Sequence, residues 1–157
     1  MCSSDLRLLR TRAAAPRAEP RTLAFLGVGT GPSLEGGAEA HAAALESCLL
    51  ASLAKRGQHR LVDRARISAL KRERRGDLLG STGAAAAGRE LRADYVIYGE
   101  VAVVSGRPFF SVFCADPATH QVVFGDNLDG LSGPGCDALG QRLLDRIAEI
   151  SRANRSE

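Results

Sequence analysis

Six cations crowd into one stretch, RARISALKRERR (64–75): Arg64, Arg66, Lys71, Arg72, Arg74 and Arg75, offset by Glu73 alone. Such a run suits an anionic partner, whether nucleic acid, a phospholipid headgroup or an acidic protein face. The blander reading is a solvated helix face whose other side packs on a sheet. No aromatic residues interleave with the charges to stack on bases, which argues against single-stranded nucleic acid. Arg is common throughout the chain, and that favours the solvated face.

Other chemistry-bearing residues are scattered. Glu100 is the one carboxylate inside the strongest strand pattern. It is either an acid of raised pKa or, the preferred reading, a residue at a strand end or paired with an Arg. GVGTGP (27–32) has Pro32 where a dinucleotide fingerprint needs its third Gly, and it lacks the Gly-Lys-Ser/Thr end of a phosphate loop. A flexible loop after a strand is the preferred reading. His41, His59 and His120 are not spaced as ligands with one another, whereas zinc needs three or four converging donors. They read as surface histidines. There is no GxSxG elbow, and a triad assembled from distant residues leaves no such trace. No catalytic, metal or cofactor-binding residue is assigned, and no cofactor is expected. Cys2, Cys48, Cys114 and Cys136 form no CxxC. Cys48 on a helical apolar face and Cys114 in a strand read as buried free thiols rather than a disulfide.

These residues need a scaffold. TLAFLGV (22–28) is an unbroken apolar run of strand length, which predicts a strand buried on both faces. AEAHAAALESCLLASLAKRG (38–57) is a helix with Leu45, Leu49 and Leu53 on one face. HRLVD (59–63) is a short strand, and Asp63 is placed to cap a helix carrying Ile67 and Leu70. Ser81 or Thr82 is expected to cap the Ala-rich helix AAAAGRELRA. Three strands follow, ADYVIYGEVAVV, PFFSVFCAD and QVVFGDNL, separated by the turns SGRP and DPATH. After the break DGLSGPG comes a closing helix, CDALGQRLLDRIAEISRA (136–153), striped by Leu139, Leu143, Ile147 and Ile150. The prediction is an α/β fold: a mixed β-sheet of about five strands packed with helices in the order β-α-β-α-α-β-β-β-α, with an antiparallel meander over 94–128.

Bulk properties agree. A chain of 157 residues fits one domain and can fold without staples. A net charge of +3 is too weak to imply nucleic acid by itself. No apolar run reaches the ~18 residues that span a bilayer. RLLRTRAAAPRAEP (7–20) is too interrupted for a signal peptide and reads as a basic linker.

The stretch from Leu23 to Gly130 resembles the CsgG/HfaB family of curli assembly and transport components and, more distantly, the penicillin-binding-protein activator LpoB and the TolB N-terminal domain. HRLVDRARISALKRER has Arg64 and Glu73 at that family's Arg and Glu positions. AAAAGRELRADYVIYGEV matches with Ala93, Asp94, Tyr95 and Gly99. CADPATHQVVF follows the next turn, with His120 where the family has Gly. The resemblance implies an α/β sandwich and a non-enzymatic role in the bacterial cell envelope: an outer-membrane lipoprotein or periplasmic protein that assembles with itself or regulates an envelope partner. It also implies structural roles: Gly99 for close packing, Asp94 for a turn or cap, and Arg64 with Glu73 as an ion pair. The connections are too short for the long hairpins of the curli channel, so the chain is not expected to be a pore.

The expected function is therefore an envelope assembly or interaction domain in the periplasm or on the periplasmic face of the outer membrane, with a protein partner or a second copy. An anion- or nucleic-acid-binding module using 64–75 is the alternative. An enzyme with a pocket at GTGPSLEGG ranks third. Nucleic acid is not expected as partner, no transmembrane segment is expected in the chain, and membrane anchoring stays open. CSSDL and RSE, at the two ends, match what a common sequencing-library adapter and its reverse complement encode. The expectation is an adapter-like start plus basic, disordered linker over 1–20, one domain over 21–153, and an artefactual tail over 154–157.

Overall fold

The computed structural model describes residues 20–30, 36–57, 59–74, 81–128, 130 and 133–154. The readings placed on 1–19, 155–157, most of the glycine-rich loop and Arg75 fall outside the described residues.

The apolar run at the start dictates the architecture. Strand β1, Thr22–Thr30, buries Leu23, Ala24, Phe25 and Leu26 in succession, so it needs cover on both faces. It lies between β2 (Arg60–Leu61) and β3 (Tyr95–Val104), parallel to both. Strands β4 (Arg107–Ala115) and β5 (Val122–Leu128) continue from β3 as an antiparallel meander. The sheet order is β2-β1-β3-β4-β5. The four helices are α1 (Ala38–Arg56), α2 (Arg64–Glu73), α3 (Ser81–Glu90) and α4 (Gly133–Ala153). Class and element order are as the sequence predicts.

The period of two along each strand sorts side chains into two cores. Leu23, Phe25, Ile97, Val101, Phe110 and Val112 face α1 and α4, meeting Leu45, Leu49, Leu139 and Ile147. Each buried Leu contributes roughly 1.5–3 kcal/mol there. Ala24, Leu26, Val96 and Tyr98 face the other way, under Ile67 and Leu70 of α2 and Ala84, Ala87 and Leu91 of the α3 segment. The domain is thus a three-layer sandwich.

Local chemistry sets the element ends. Asp63 caps α2, its Oδ1 accepting from the Ala65 N–H at 2.9 Å, as expected. Ser81 and Thr82 form the first turn of α3 instead of capping a helix that starts later. Helix α4 begins at Gly133, three residues before the expected start, because Pro134 suits a first turn whose N–H groups have no intrahelical partner. The β3–β4 hairpin turns on Ser105 and Gly106, both at positive φ, which matches strand twist. In the β4–β5 turn Asp116 accepts from the Ala118 N–H and His120 adopts φ 61°. Glycine adopts that left-handed conformation without strain, whereas a residue with a side chain does not.

One cysteine reading fails. Cys114 is the buried free thiol expected, with burial pushing its pKa up to about 12. Cys48, however, is bonded to Cys136 with 5.9 Å between Cα atoms. The two lie 88 residues apart in sequence. Helices α1 and α4 bring them together by packing side by side on one sheet face, so close that a Cβ on Gly140 would overlap Ser52.

Two stability changes follow. Reducing the Cys48–Cys136 bond should cost about 2–4 kcal/mol, given the long loop it closes. Urea unfolding with and without reductant measures this, and an unchanged midpoint would count against the cross-link. His120→Gly should stabilise by about 0.5–1 kcal/mol by relieving the left-handed residue, read as a higher urea midpoint.

Candidate functional site

Strand β2 pairs with β1 only at Thr22 and Leu23. Beyond that point no strand among the described residues lies beside the β1 edge. Arg64, the first residue of α2, takes over: its Nη1 donates to the Phe25 carbonyl at 2.8 Å, and its Nη2 forms an ion pair with Glu46 of α1. The guanidinium also lies 5.7 Å from the centre of the Phe25 ring. One side chain therefore joins β1, α1 and α2. Just beyond, Gly27 adopts φ +117° where the β1–β3 register shifts, a bulge geometry open to glycine. Lys71 reaches this bulge, its Nζ lying 2.8 Å from where a Cβ on Gly27 would stand. Burial lowers the Lys71 pKa, the Glu46 carboxylate opposes that shift, and Arg64 adds to it. The result is a compact cation–carboxylate–cation cluster at the sheet edge.

The basic run consequently divides. Arg64 and Lys71 join the cluster, and Arg74 pairs with Glu90 of α3 at 2.6 Å. Arg66 and Arg72 are exposed and have no ionic partner among the described residues. Arg75 falls outside them. The expected Arg64–Glu73 pair does not form: these residues stand at opposite ends of α2, ~13 Å apart along its axis. Glu46 takes the role instead. Sequence reading missed it because it lies on another helix. Its one signal is a carboxylate directly after Leu45 in the apolar half of α1.

The other motif residues are structural. Asp94 straps the starts of β1 and β3, its Oδ2 accepting from the Thr22 N–H at 2.8 Å while its own N–H donates to the Thr22 carbonyl. Gly99 relieves crowding within the sheet, since a Cβ there would sit 3.1 Å from the Ser111 carbonyl oxygen and 3.2 Å from Val28, while meeting Leu45 of α1 at an ordinary 3.5 Å. Glu100 departs from expectation. It is exposed in the middle of β3, opposite Ser111, with no arginine partner among the described residues.

The histidines are dispersed. His59 Nδ1 accepts from the Arg21 N–H, and burial followed by the nearby Arg21 charge lowers its pKa. His41 meets the Phe110 ring edge-on, and His120 contacts Arg89. Among the described residues no three of His, Cys, Asp and Glu converge as metal ligands. A cleft of about 230 Å³, lined by Arg21, Asp94, Tyr95, Asp116 and Asn154 among others, opens at the start of β1.

Arg64→Ala should destabilise by about 2 kcal/mol, because it strips a partner from a backbone carbonyl and from a half-buried carboxylate. Arg64→Lys should recover little, since one ammonium cannot serve both acceptors in a fixed fork. Arg66→Ala should change stability by less than about 0.5 kcal/mol. Chemical denaturation of the three variants checks the division. Equal losses at 64 and 66 would refute it.

No protein-family model and no curated protein matches the sequence. Solved structures do. The LpoB C-terminal domain from Salmonella enterica aligns with a TM-score of 0.59 and 17% identity, covering 82% of this chain and 94% of that one. The corresponding domain from Escherichia coli aligns at 0.55 and 19%, covering 78% and 90%. A lipoprotein from Neisseria meningitidis aligns at 0.54 and 9%, covering 82% and 97%. At such identities the likeness is one of architecture, and the chain shares the fold of the LpoB C-terminal domain.

Proposed function

We propose that this chain is a non-enzymatic interaction domain of the bacterial cell envelope, acting on the periplasmic side through protein–protein contact. The observation that carries the reading is the LpoB-like fold, which spans most of both chains. The Cys48–Cys136 bond supports the compartment independently, because such cross-links persist outside the reducing cytosol. The exposed cations Arg66 and Arg72 on α2 offer an acidic protein face its contact. No helix among the described residues is long and apolar enough to cross a membrane. The finer assignment, assembly of the CsgG/HfaB curli kind, rests on the motif order in the sequence, whereas the structural likeness supports the coarser reading of an envelope interaction domain.

The anion-binding alternative draws on the same α2 face. Of the described run, Arg66 and Arg72 are outward and unpaired and Lys71 is exposed though drawn towards Glu46, a small footprint for a phosphate backbone.

In-cell photocrosslinking from position 66, with the chain exported to the periplasm of its native host, tests the docking reading. One discrete protein adduct is expected, and Arg72→Glu should reduce its yield by about tenfold. An absence of adduct would overturn the reading. So would crosslinking to nucleic acid, with an affinity that falls steeply with salt.

A further inference from the structure

The sheet is not equally covered on its two faces. On the α1/α4 side, Val101, Phe110 and Val112 are fully buried. On the α2/α3 side, the cover given by the described residues stops near Tyr98. Beyond it, towards the β3–β4 hairpin, Val104 is 57% exposed and Phe109 45%. The antiparallel register places these residues in adjacent rows of one face: Glu100 opposite Ser111, Ala102 opposite Phe109, Val104 opposite Arg107. Glu100 and Arg107 are both exposed, and neither has an ionic partner among the described residues.

The arrangement has a symmetry that a foreign partner would not require. Glu100 lies one row before Ala102–Phe109, and Arg107 lies one row after it. Consider a two-fold axis lying in the face and crossing the strands at the Ala102–Phe109 row. It sets Glu100 of one copy across from the Val104–Arg107 row of the other, offset sideways by one strand from that copy's arginine, whose long side chain spans the gap between the stacked sheets. The reciprocal pair forms by the same operation. Between the two ion pairs, both copies of Ala102 and Phe109 meet at the separation of stacked sheets. The patch is thus complementary to itself in charge and in apolar centre, which is the requirement of an isologous interface.

We infer that this open end of the sheet is a self-association surface, and that its occupant is a second copy of the chain packed face to face about that axis. The mid-strand carboxylate Glu100 thereby gains the arginine that it lacks among the described residues of its own chain. The interface uses neither the cations of α2 nor the cleft at Arg21, so it stands apart from the docking role proposed above and leaves α2 free for another partner.

Sedimentation equilibrium of the purified full chain, over about 5–500 μM, tests the inference, a window suited to micromolar association. The expected result is reversible association to twice the 16.6 kDa chain mass. Glu100→Arg and Arg107→Glu should each weaken it at least about tenfold by opposing like charges across the axis. The double exchange, Glu100→Arg with Arg107→Glu, should return to within about threefold of the parent, because it restores both pairs with their signs reversed. Phe109→Asp should give monomer. Circular dichroism melts confirm that each variant is folded. A monomeric parent across the range would overturn the inference, as it would if a different protein were the occupant of this face. A double exchange no better than either single change would also overturn it, as would a Phe109→Asp chain that still dimerises. None of these outcomes bears on crosslinking from position 66, so failure here and failure of the docking reading are told apart.

Discussion

The structure depends on satisfying β1. Its four successive buried apolar side chains, Leu23 to Leu26, demand a hydrophobic layer on each side, which a three-layer arrangement supplies. Its backbone is as demanding as its side chains, since a buried strand with an open edge carries carbonyls that water cannot reach. Strand β2 covers the first two positions and stops. The Arg64 guanidinium completes the edge by bonding to Phe25, and Glu46 balances the charge that is thereby drawn inward. Asp63 sets the start of α2 and so aims Arg64. A helix cap, an ion pair and a strand edge are in this sense one device.

That device redefines the basic run. A cluster of cations on one helix invites an electrostatic reading of the whole stretch, yet three of its members have internal tasks. Arg64 and Lys71 attend to β1, and Arg74 holds α2 to α3 through Glu90. What remains to meet a partner among the described residues is a pair of exposed arginines. The long-range field of the run is correspondingly softened by Glu46 and Glu90. A modest cationic surface suits a charged protein contact better than a polyanion track, whose affinity grows with each phosphate neutralised.

What was legible in the sequence were features governed by neighbours along the chain. The double-sided burial of β1, the Leu stripe of α1, the Asp63 cap and the meander are all written in local periodicity and turn chemistry. His120 was legible as a departure, and the structure supplies its reason in a left-handed residue. What escaped were pairings between elements distant in sequence. The Cys48–Cys136 bond and the Glu46–Arg64 pair both depend on where α1 comes to lie, against α4 and against the edge of β1. Glu73 was the natural local guess for Arg64, and helix geometry overruled it, since residues nine apart on one helix do not meet.

The two sheet faces also differ in how firmly they are held. Helices α1 and α4 run 19 and 21 residues, cross at a glycine and are covalently joined. Helices α2 and α3 run 10 residues each, and the α3 contribution to the core is largely alanine. Short helices shield only part of a sheet whose strands β3 and β4 extend for 10 and 9 residues. Among the described residues the sheet extends beyond these two helices, and strand alternation puts every second side chain of the extending end onto that face. Those side chains are Glu100, Ala102 and Val104 on one strand, and Arg107, Phe109 and Ser111 on the next. An exposed apolar centre flanked by unlike charges is thus a consequence of unequal helix length. The α2 cations and the exposed sheet end thus lie on one side of the sheet, opposite the face that the disulfide closes.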